Sequence, residues 1–223
     1  MLMKNLVEQS VCYIEGDEYP YRLVGNIWED EKYKLCMWLS KDGINFTDRT
    51  VVLEDMMHDS QCVLIPEDGY FKLYLRKSIK LGPGNYNRRI ATCCLDMSGK
   101  PLTEIELVAG ERLYNSAASK IDERFDLLIP TYFNNEPGLD DSCHFNAYIV
   151  DGIYSNEIEC PLNKWVAEDE KWVLAAPGIL HLDGKTYIAY YARNTSHDEG
   201  RIDRSDYKLI EITVSSHPYW KDK

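Results

Sequence analysis

Two kinds of side chain in this sequence could do chemistry together: a carboxylate and a pair of arginines. Asp59 follows His58 directly before the apolar stretch QCVLIPEDG, and an ionised aspartate there can act as a base or bind hydroxyl groups. Arg76 and Arg193 end the similar segments YLR and YAR, and two guanidinium groups can hold a carboxylate or phosphate. An Asx turn at Asp59 and ordinary ion pairs of the arginines are the alternative interpretations.

An internal repeat decides where these residues lie. Four segments share the order apolar strand, tight turn, aromatic strand, loop and third strand, and three of them add an outer strand. The third strands begin at Tyr33, Arg89, Phe145 and Tyr207, so their starts are 56, 56 and 62 residues apart. Short antiparallel strands at such a period predict an all-β protein, a β-propeller of four blades. A five-bladed ring and an irregular β-sandwich are the alternatives.

The fourth repeat has no outer strand of its own before the segment HPYWKDK. The segment LMKNLV, residues 2–7, precedes the first repeat by a spacing similar to that of the outer strands. We therefore expect this N-terminal strand to complete the fourth blade and to cover its edge. Residues 1–223 are then predicted to form a single β-propeller domain.

The geometry of a propeller blade predicts on which face of the molecule the ligand site lies. The first strand of a blade starts on the face where its second strand ends, and the loops between second and third strands lie there too. Three of these loops are predicted to be long, residues 78–88, 133–143 and 194–206, and long loops on one face commonly carry ligand contacts. We expect one catalytic residue, Asp59, and six ligand-binding residues, His58, Arg76, Asn115, Tyr132, Arg193 and Trp28.

Composition excludes several classes of partner. The formal net charge of −12 argues against nucleic acid or an anionic membrane surface as the main partner. The seven cysteines contain no CxxC pair and the histidines show no metal spacing, which predicts reduced thiols in a cytoplasmic protein without metal or other cofactor. No apolar segment is long enough to cross a membrane or to act as a signal sequence.

Three motifs carry a resemblance to a known family: SKDGINF from Ser40, HDSQCVLIPEDGYFKLYLRKS from His58 and AAPGILHLDGKTYIAYYARN from Ala175. They resemble blade segments of the five-bladed propeller glycoside hydrolases, the clan of arabinanases, β-xylosidases and invertases. The resemblance implies carboxylates on inner strands that act as base and acid at a glycosidic bond. Asp59 falls where such an aspartate is expected. The family's general-acid glutamate lies two residues before a proline like Pro177, and that position is Ala175.

The resemblance thus implies a glycoside hydrolase-like propeller that acts on or binds a small carbohydrate, with the arginines holding an anionic group. A non-catalytic module for a sugar phosphate or nucleotide-like anion is the first alternative, and a protein-interaction scaffold is the second. The substitution by Ala175 leaves open whether the protein is an enzyme.

Overall fold

A computed structural model describes residues 6–56, 60–83, 85–133, 143–160, 162, 173–193 and 205–213. Within these residues the structure contains sixteen β-strands that form successive antiparallel sheets. The described part of the chain has no helix that is long and apolar enough to cross a membrane.

The first two blades have four strands each, in the sheet orders β1-β2-β3-β4 and β5-β6-β7-β8. The strands of the first blade are β1 (Leu6–Tyr13), β2 (Tyr21–Glu29), β3 (Lys32–Ser40) and β4 (Phe46–Met56). Those of the second blade are β5 (Cys62–Glu67), β6 (Tyr70–Gly82), β7 (Asn85–Asp96) and β8 (Glu106–Ala109).

The third and fourth blades are joined by one parallel bridge between Cys143 and Val173. The third blade consists of β9 (Leu113–Lys120), β10 (Phe125–Phe133), β11 (Cys143–Phe145), β12 (Ala147–Asp151) and β13 (Tyr154–Ile158). The fourth blade consists of β14 (Val173–Leu182), β15 (Lys185–Arg193) and β16 (Ser205–Ile212).

The structure confirms the predicted all-β propeller with four blades. The inner strands contact one another in chain order, β1 against β5, β5 against β9 and β9 against β14. The side on which β2, β6, β10 and β15 end is called the candidate face here, because the sequence predicts the ligand site there. The side on which β1, β5, β9 and β14 end is called the opposite face.

Packing between blades explains why the central strands are apolar on both sides. In the second blade, Phe71, Leu73 and Leu75 pack against the first blade, whereas Tyr74 and Ile90 pack against the third. Successive residues of a strand point to opposite faces of the sheet, so a blade enclosed on both sides needs a continuous apolar run. Leu73, Tyr74 and Leu75 of β6 form such a run, and all three are buried between the first and third blades.

The structure places the described end of the predicted closing strand in the first blade. Leu6 and Val7, the described end of the segment 2–7, pair with Ile27 and Asn26 of β2 and therefore belong to the first blade. The first strand of the repeat extends further toward the N-terminus than its pattern showed, because a register shift between Val7 and Ser10 lets the ladder continue past an irregularity. Residues 1–5 lie outside the described part of the chain.

The structure also corrects the predicted loop at residues 78–88. This segment continues β6 and β7 as a hairpin, in which Ser78 pairs with Arg88 and Lys80 pairs with Tyr86. Glycine, proline and asparagine in SIKLGPGNYNR suggested a loop, but only the segment around Pro83 turns. The two other predicted long loops fall mainly on residues 134–142 and 194–204, which lie outside the described residues.

Candidate functional site

Four of the seven predicted site residues lie, entirely or with their side chains, outside the described part of the structure. His58 and Asp59 lie outside the described residues. Asn115 lies in β9 and Arg193 ends β15, where it pairs with Val173 and Ser205, so both are on strands that reach the candidate face. The side chains of these two residues are not among those that the structure describes.

Trp28 lies at the end of β2 on the candidate face, as the repeat predicted. Its side chain is 50% exposed although Val24 and Asn26 in the same strand are fully buried. The indole meets the ring of Tyr33 edge to face, with 4.8 Å between the ring centroids. Tyr33 is directly opposite Trp28 in the β2–β3 ladder. The strand pairing therefore holds a large aromatic surface open to solvent at this edge of the first blade.

The acidic residues next to Trp28 are bound in ion pairs. Asp30 and Glu31 form a two-residue turn with positive φ angles of 53° and 63°, which joins β2 and β3 directly. Lys34 donates to Asp30 at 2.7 Å and to Glu29 at 3.0 Å. These hydrogen bonds from Lys34 hold the pKa values of both carboxyl groups below their usual range. Neither group is suited to donate a proton near neutral pH.

A buried amide fixes the backbone directly after Asp59. The side chain of Asn26 donates to the carbonyl oxygen of Ser60 at 2.6 Å and accepts from its backbone N–H at 3.1 Å. The hydroxyl of Ser60 donates to the carbonyl oxygen of Arg76 at 2.8 Å. These bonds tie the first blade to the entry of the second, and both Asn26 and Ser60 are fully buried. The sequence signal for this contact was the asparagine inside the short segment LVGNI, residues 23–27.

Arg76 is packed between blades. Its side chain is buried, and its guanidinium carbon lies 5.3 Å from the centroid of the Tyr114 ring in the third blade. Arg88 approaches the same ring, at 4.2 Å. The face of an aromatic ring attracts cations, so the three side chains form one cluster at the candidate face. Arg88 and Tyr114 were missed by the sequence reasoning, which treated residues 78–88 as a loop and so had no register for Arg88.

Tyr132 forms a second aromatic pair on this face, with His144. The two residues are opposite each other in the β10–β11 ladder, and their ring centroids are 4.7 Å apart. Burial lowers the pKa of His144, while a hydrogen bond from its side chain to Asn146 and the charge of Glu157 act in the other direction. The lowered pKa favours the neutral imidazole of His144 over its charged form.

Ala175 lies in β14 on the side of the blade that begins at the candidate face, where it pairs with Tyr191 before a register shift that ends at Gly178. The resemblance placed a general-acid glutamate at this position. A methyl group cannot donate a proton, so this position supplies no acid. Among the described residues, no three His, Cys, Asp or Glu side chains come close enough together to hold a metal ion.

No protein-family model and no curated protein sequence matches this chain. Solved structures do match it. A thermostable family-43 glycoside hydrolase superposes with a TM-score of 0.70 and 10% sequence identity, over 94% of this chain and 72% of its own. The α-L-arabinanase of Cellvibrio cellulosa, complexed with arabinohexaose, gives a TM-score of 0.63 and 11% identity, over 94% and 74%.

A third match is the GH32 β-fructofuranosidase BmSUC1 of Bombyx mori, with a TM-score of 0.62 and 11% identity, over 92% of this chain and 46% of that one. These likenesses, at such low identity, define the fold. The chain is a four-bladed β-propeller whose fold is similar to those of these solved family-43 and family-32 enzymes.

Proposed function

We propose that the protein binds a carbohydrate at the candidate face. The observation that supports this most directly is the half-exposed Trp28, held open at the end of a buried strand by its contact with Tyr33. An indole offers a flat apolar surface and one N–H donor, which fits a sugar ring with its C–H face and its hydroxyl groups. Solved structures with the same fold include proteins complexed with arabinohexaose and with sucrose.

Titration calorimetry with arabino-oligosaccharides, sucrose and xylo-oligosaccharides tests this proposal. Trp28→Ala should weaken the binding of the recognised sugar by about tenfold or more, because a stacked aromatic contributes roughly 1.5–3 kcal/mol of burial. Tyr154→Ala is the matched control, since Tyr154 is an exposed aromatic at the start of β13, near the opposite face. Equal loss of affinity in both variants, or no sugar binding by the wild type, would contradict the proposal.

We further propose that the bound sugar carries an anionic group. Arg76 and Arg88 bring two positive charges to the Tyr114 ring within a strongly acidic protein. Arg193 ends β15 on the same face. The two guanidinium groups at Tyr114 favour a uronate or a sugar phosphate over a neutral sugar. Arg88→Gln should weaken an anionic sugar more than its neutral counterpart, whereas Lys80→Gln, on the same hairpin, should not discriminate between them.

Ala175 favours binding without hydrolysis, because the position of the expected acid carries no proton donor. Hydrolysis with Asp59 as the base is the second candidate, supported by the Asn26–Ser60 contact that fixes the backbone beside it. Assays with nitrophenyl arabinofuranoside and xyloside distinguish the two. Turnover that Asp59→Asn abolishes, with sugar affinity retained, would establish the second candidate. Turnover that Asp59→Asn leaves unchanged would exclude Asp59 as the base.

A further inference from the structure

Two hydroxyl side chains and one imidazole side chain lie in contact on the opposite face, away from the candidate site. The hydroxyl of Ser119, near the end of β9, is hydrogen-bonded to Nε2 of His181, near the end of β14. Nδ1 of the same imidazole lies 3.0 Å from the hydroxyl oxygen of Thr186. Thr186 is directly opposite His181 in the β14–β15 ladder. The strand register and the packing of β9 against β14 therefore place the three groups in one line.

We propose that Ser119 is a nucleophile, that His181 is its general base and that Thr186 is a positioning residue for the imidazole. A nucleophile and a base within hydrogen-bond reach, with the base oriented by a third group, form the arrangement that activates a serine. This site would take small, activated carboxylic esters. It is separate from the sugar site and does not depend on it.

The hydrogen-bond network is compatible with the tautomer that this role needs. The Ser119 hydroxyl can donate to Nε2 only when that nitrogen carries a lone pair, and Nδ1 then carries the proton and donates to Thr186. The other acceptor near the Ser119 hydroxyl is the carbonyl oxygen of Lys120, at 3.4 Å. That distance is at the long limit for an O–H donor, so the imidazole is the preferred acceptor.

The site is open to a substrate on one side and apolar on the other. His181 is exposed and Ser119 is half-buried. Ile179 is two residues from His181 on the same side of β14, and Ile212 is opposite Thr186 in β16. Both isoleucines are partly buried against the core between the third and fourth blades. They offer a surface for a short acyl chain beside the nucleophile.

The reaction balances with water as the second substrate. The Ser119 oxygen attacks the ester carbonyl carbon while its proton passes to Nε2 of His181, and the C–O bond to the leaving alcohol breaks as Nε2 returns that proton to the alcohol. Water then attacks the acyl group, loses a proton to Nε2, and the carboxylic acid leaves as Ser119 regains its hydrogen. Because Thr186 is neutral, the imidazolium is less stabilised than beside a carboxylate, and we expect slow turnover.

A fluorophosphonate probe tests the nucleophile without any variant. The probe loses fluoride to an activated serine, and peptide mass spectrometry of the wild-type protein should find the label on Ser119. It should not label Ser98, an exposed serine whose hydroxyl donates to the Asp96 carboxylate at 2.7 Å instead of to an imidazole. Hydrolysis of nitrophenyl acetate should be lost in Ser119→Ala and retained in Ser98→Ala.

Labelling rates of His181 and Thr186 variants test the roles of the general base and of the positioning residue. His181→Gln should slow labelling by about a hundredfold, the lower range for loss of a general base. Thr186→Val should slow it about tenfold, whereas Thr186→Ser, which keeps the hydroxyl, should restore it. Absence of label on wild-type Ser119, or labelling of folded His181→Gln at the wild-type rate, would overturn the proposal. The three side chains would then serve only to tie the third blade to the fourth.

Discussion

At the scale of single residues, the most deeply buried charge in the described chain is Asp126. Its side chain accepts hydrogen bonds from the Tyr74 hydroxyl and from the Lys72 ammonium group, each at 2.6 Å. Asp126 and Tyr74 are inaccessible to solvent. Burial, and then the negative charge of Asp126, raise the pKa of Tyr74, so the phenol remains a protonated donor. A carboxylate buried in this way needs both partners.

Tyr74→Phe should therefore reduce the stability of the whole protein. We expect the free energy of unfolding to fall by about 1.5–3 kcal/mol, the range for a hydrogen bond to a charged group. Urea denaturation of the variant and the wild type measures this difference. Tyr154→Phe is the control, because that side chain is 74% exposed and its hydroxyl should be dispensable. Equal stability of the two variants would show that Lys72 alone satisfies Asp126.

Residue types predicted the composition of the candidate site better than they predicted its contacts. Trp28 was expected at the end of a second strand, and the structure shows it there, half-exposed. Arg76 was expected to form a ligand clasp with Arg193, which stays a prediction, and the contact of its guanidinium with Tyr114 of the next blade was not foreseen. The repeat predicted the end of β2 at Trp28, although it did not predict how far β6 extends. It does not show which ring a long side chain reaches across a blade boundary.

At the scale of elements, the inner strand of the first blade contains a bulge that depends on one glycine. Val7 pairs with Asn26 and Ser10 pairs with Val24, so two residues of β1 lie opposite Gly25. A Cβ atom at Gly25 would be 2.8 Å from a methyl carbon of Leu6 and 3.3 Å from the backbone of Gln9. The missing side chain lets the bulged strand approach β2 closely.

Gly25→Ala should destabilise the first blade by overpacking. We expect a loss of about 1–3 kcal/mol in the free energy of unfolding, since the Gln9 backbone must move to admit a methyl group. Gly82→Ala provides the matched control in β6, because a Cβ there would meet no atom within 4 Å. Thermal unfolding should show the loss in the first variant and a change within about 0.5 kcal/mol in the second. A similar result for both would mean that the bulge relaxes freely.

The turn in SKDGINF depends on the chemistry of its own residues, whereas the hairpin at residues 78–88 depends on the pairing of β6 with β7. In SKDGINF, the Asp42 carboxylate accepts from the backbone N–H groups of Ile44 and Asn45 at 2.9 and 2.7 Å, a local contact that is common for aspartate in turns. Those bonds keep the pKa of Asp42 well below its usual range. The extension of β6 and β7 over residues 78–88 was not predicted, because its ladder bonds outweigh the turn preference of single residues.

At the scale of the whole molecule, the repeat predicted the ring of blades but not how evenly the blades are buried. The period is visible because each blade repeats the same strand order and needs neighbours on both sides. Phe71, Leu73 and Leu95 of the second blade are fully buried. In the fourth blade one sheet face packs on the third blade through Ile188 and Tyr190, whereas its other face leaves large apolar side chains in solvent.

This difference in burial predicts unequal local stability along the ring. Leu182 and Leu209 of the fourth blade are 53% and 60% exposed, although the β15–β16 ladder pairs without a register shift. Because the β15–β16 ladder is regular, faster exchange of the β16 amides that donate to β15 would reflect missing burial rather than weak pairing. Hydrogen exchange should show these β16 amides exchanging at least about tenfold faster than the amides of β7 that donate to β6, which should open only with global unfolding. Equal protection of the two strands would mean that the apolar face of the fourth blade is covered in solution, which dilution of the protein should then reverse.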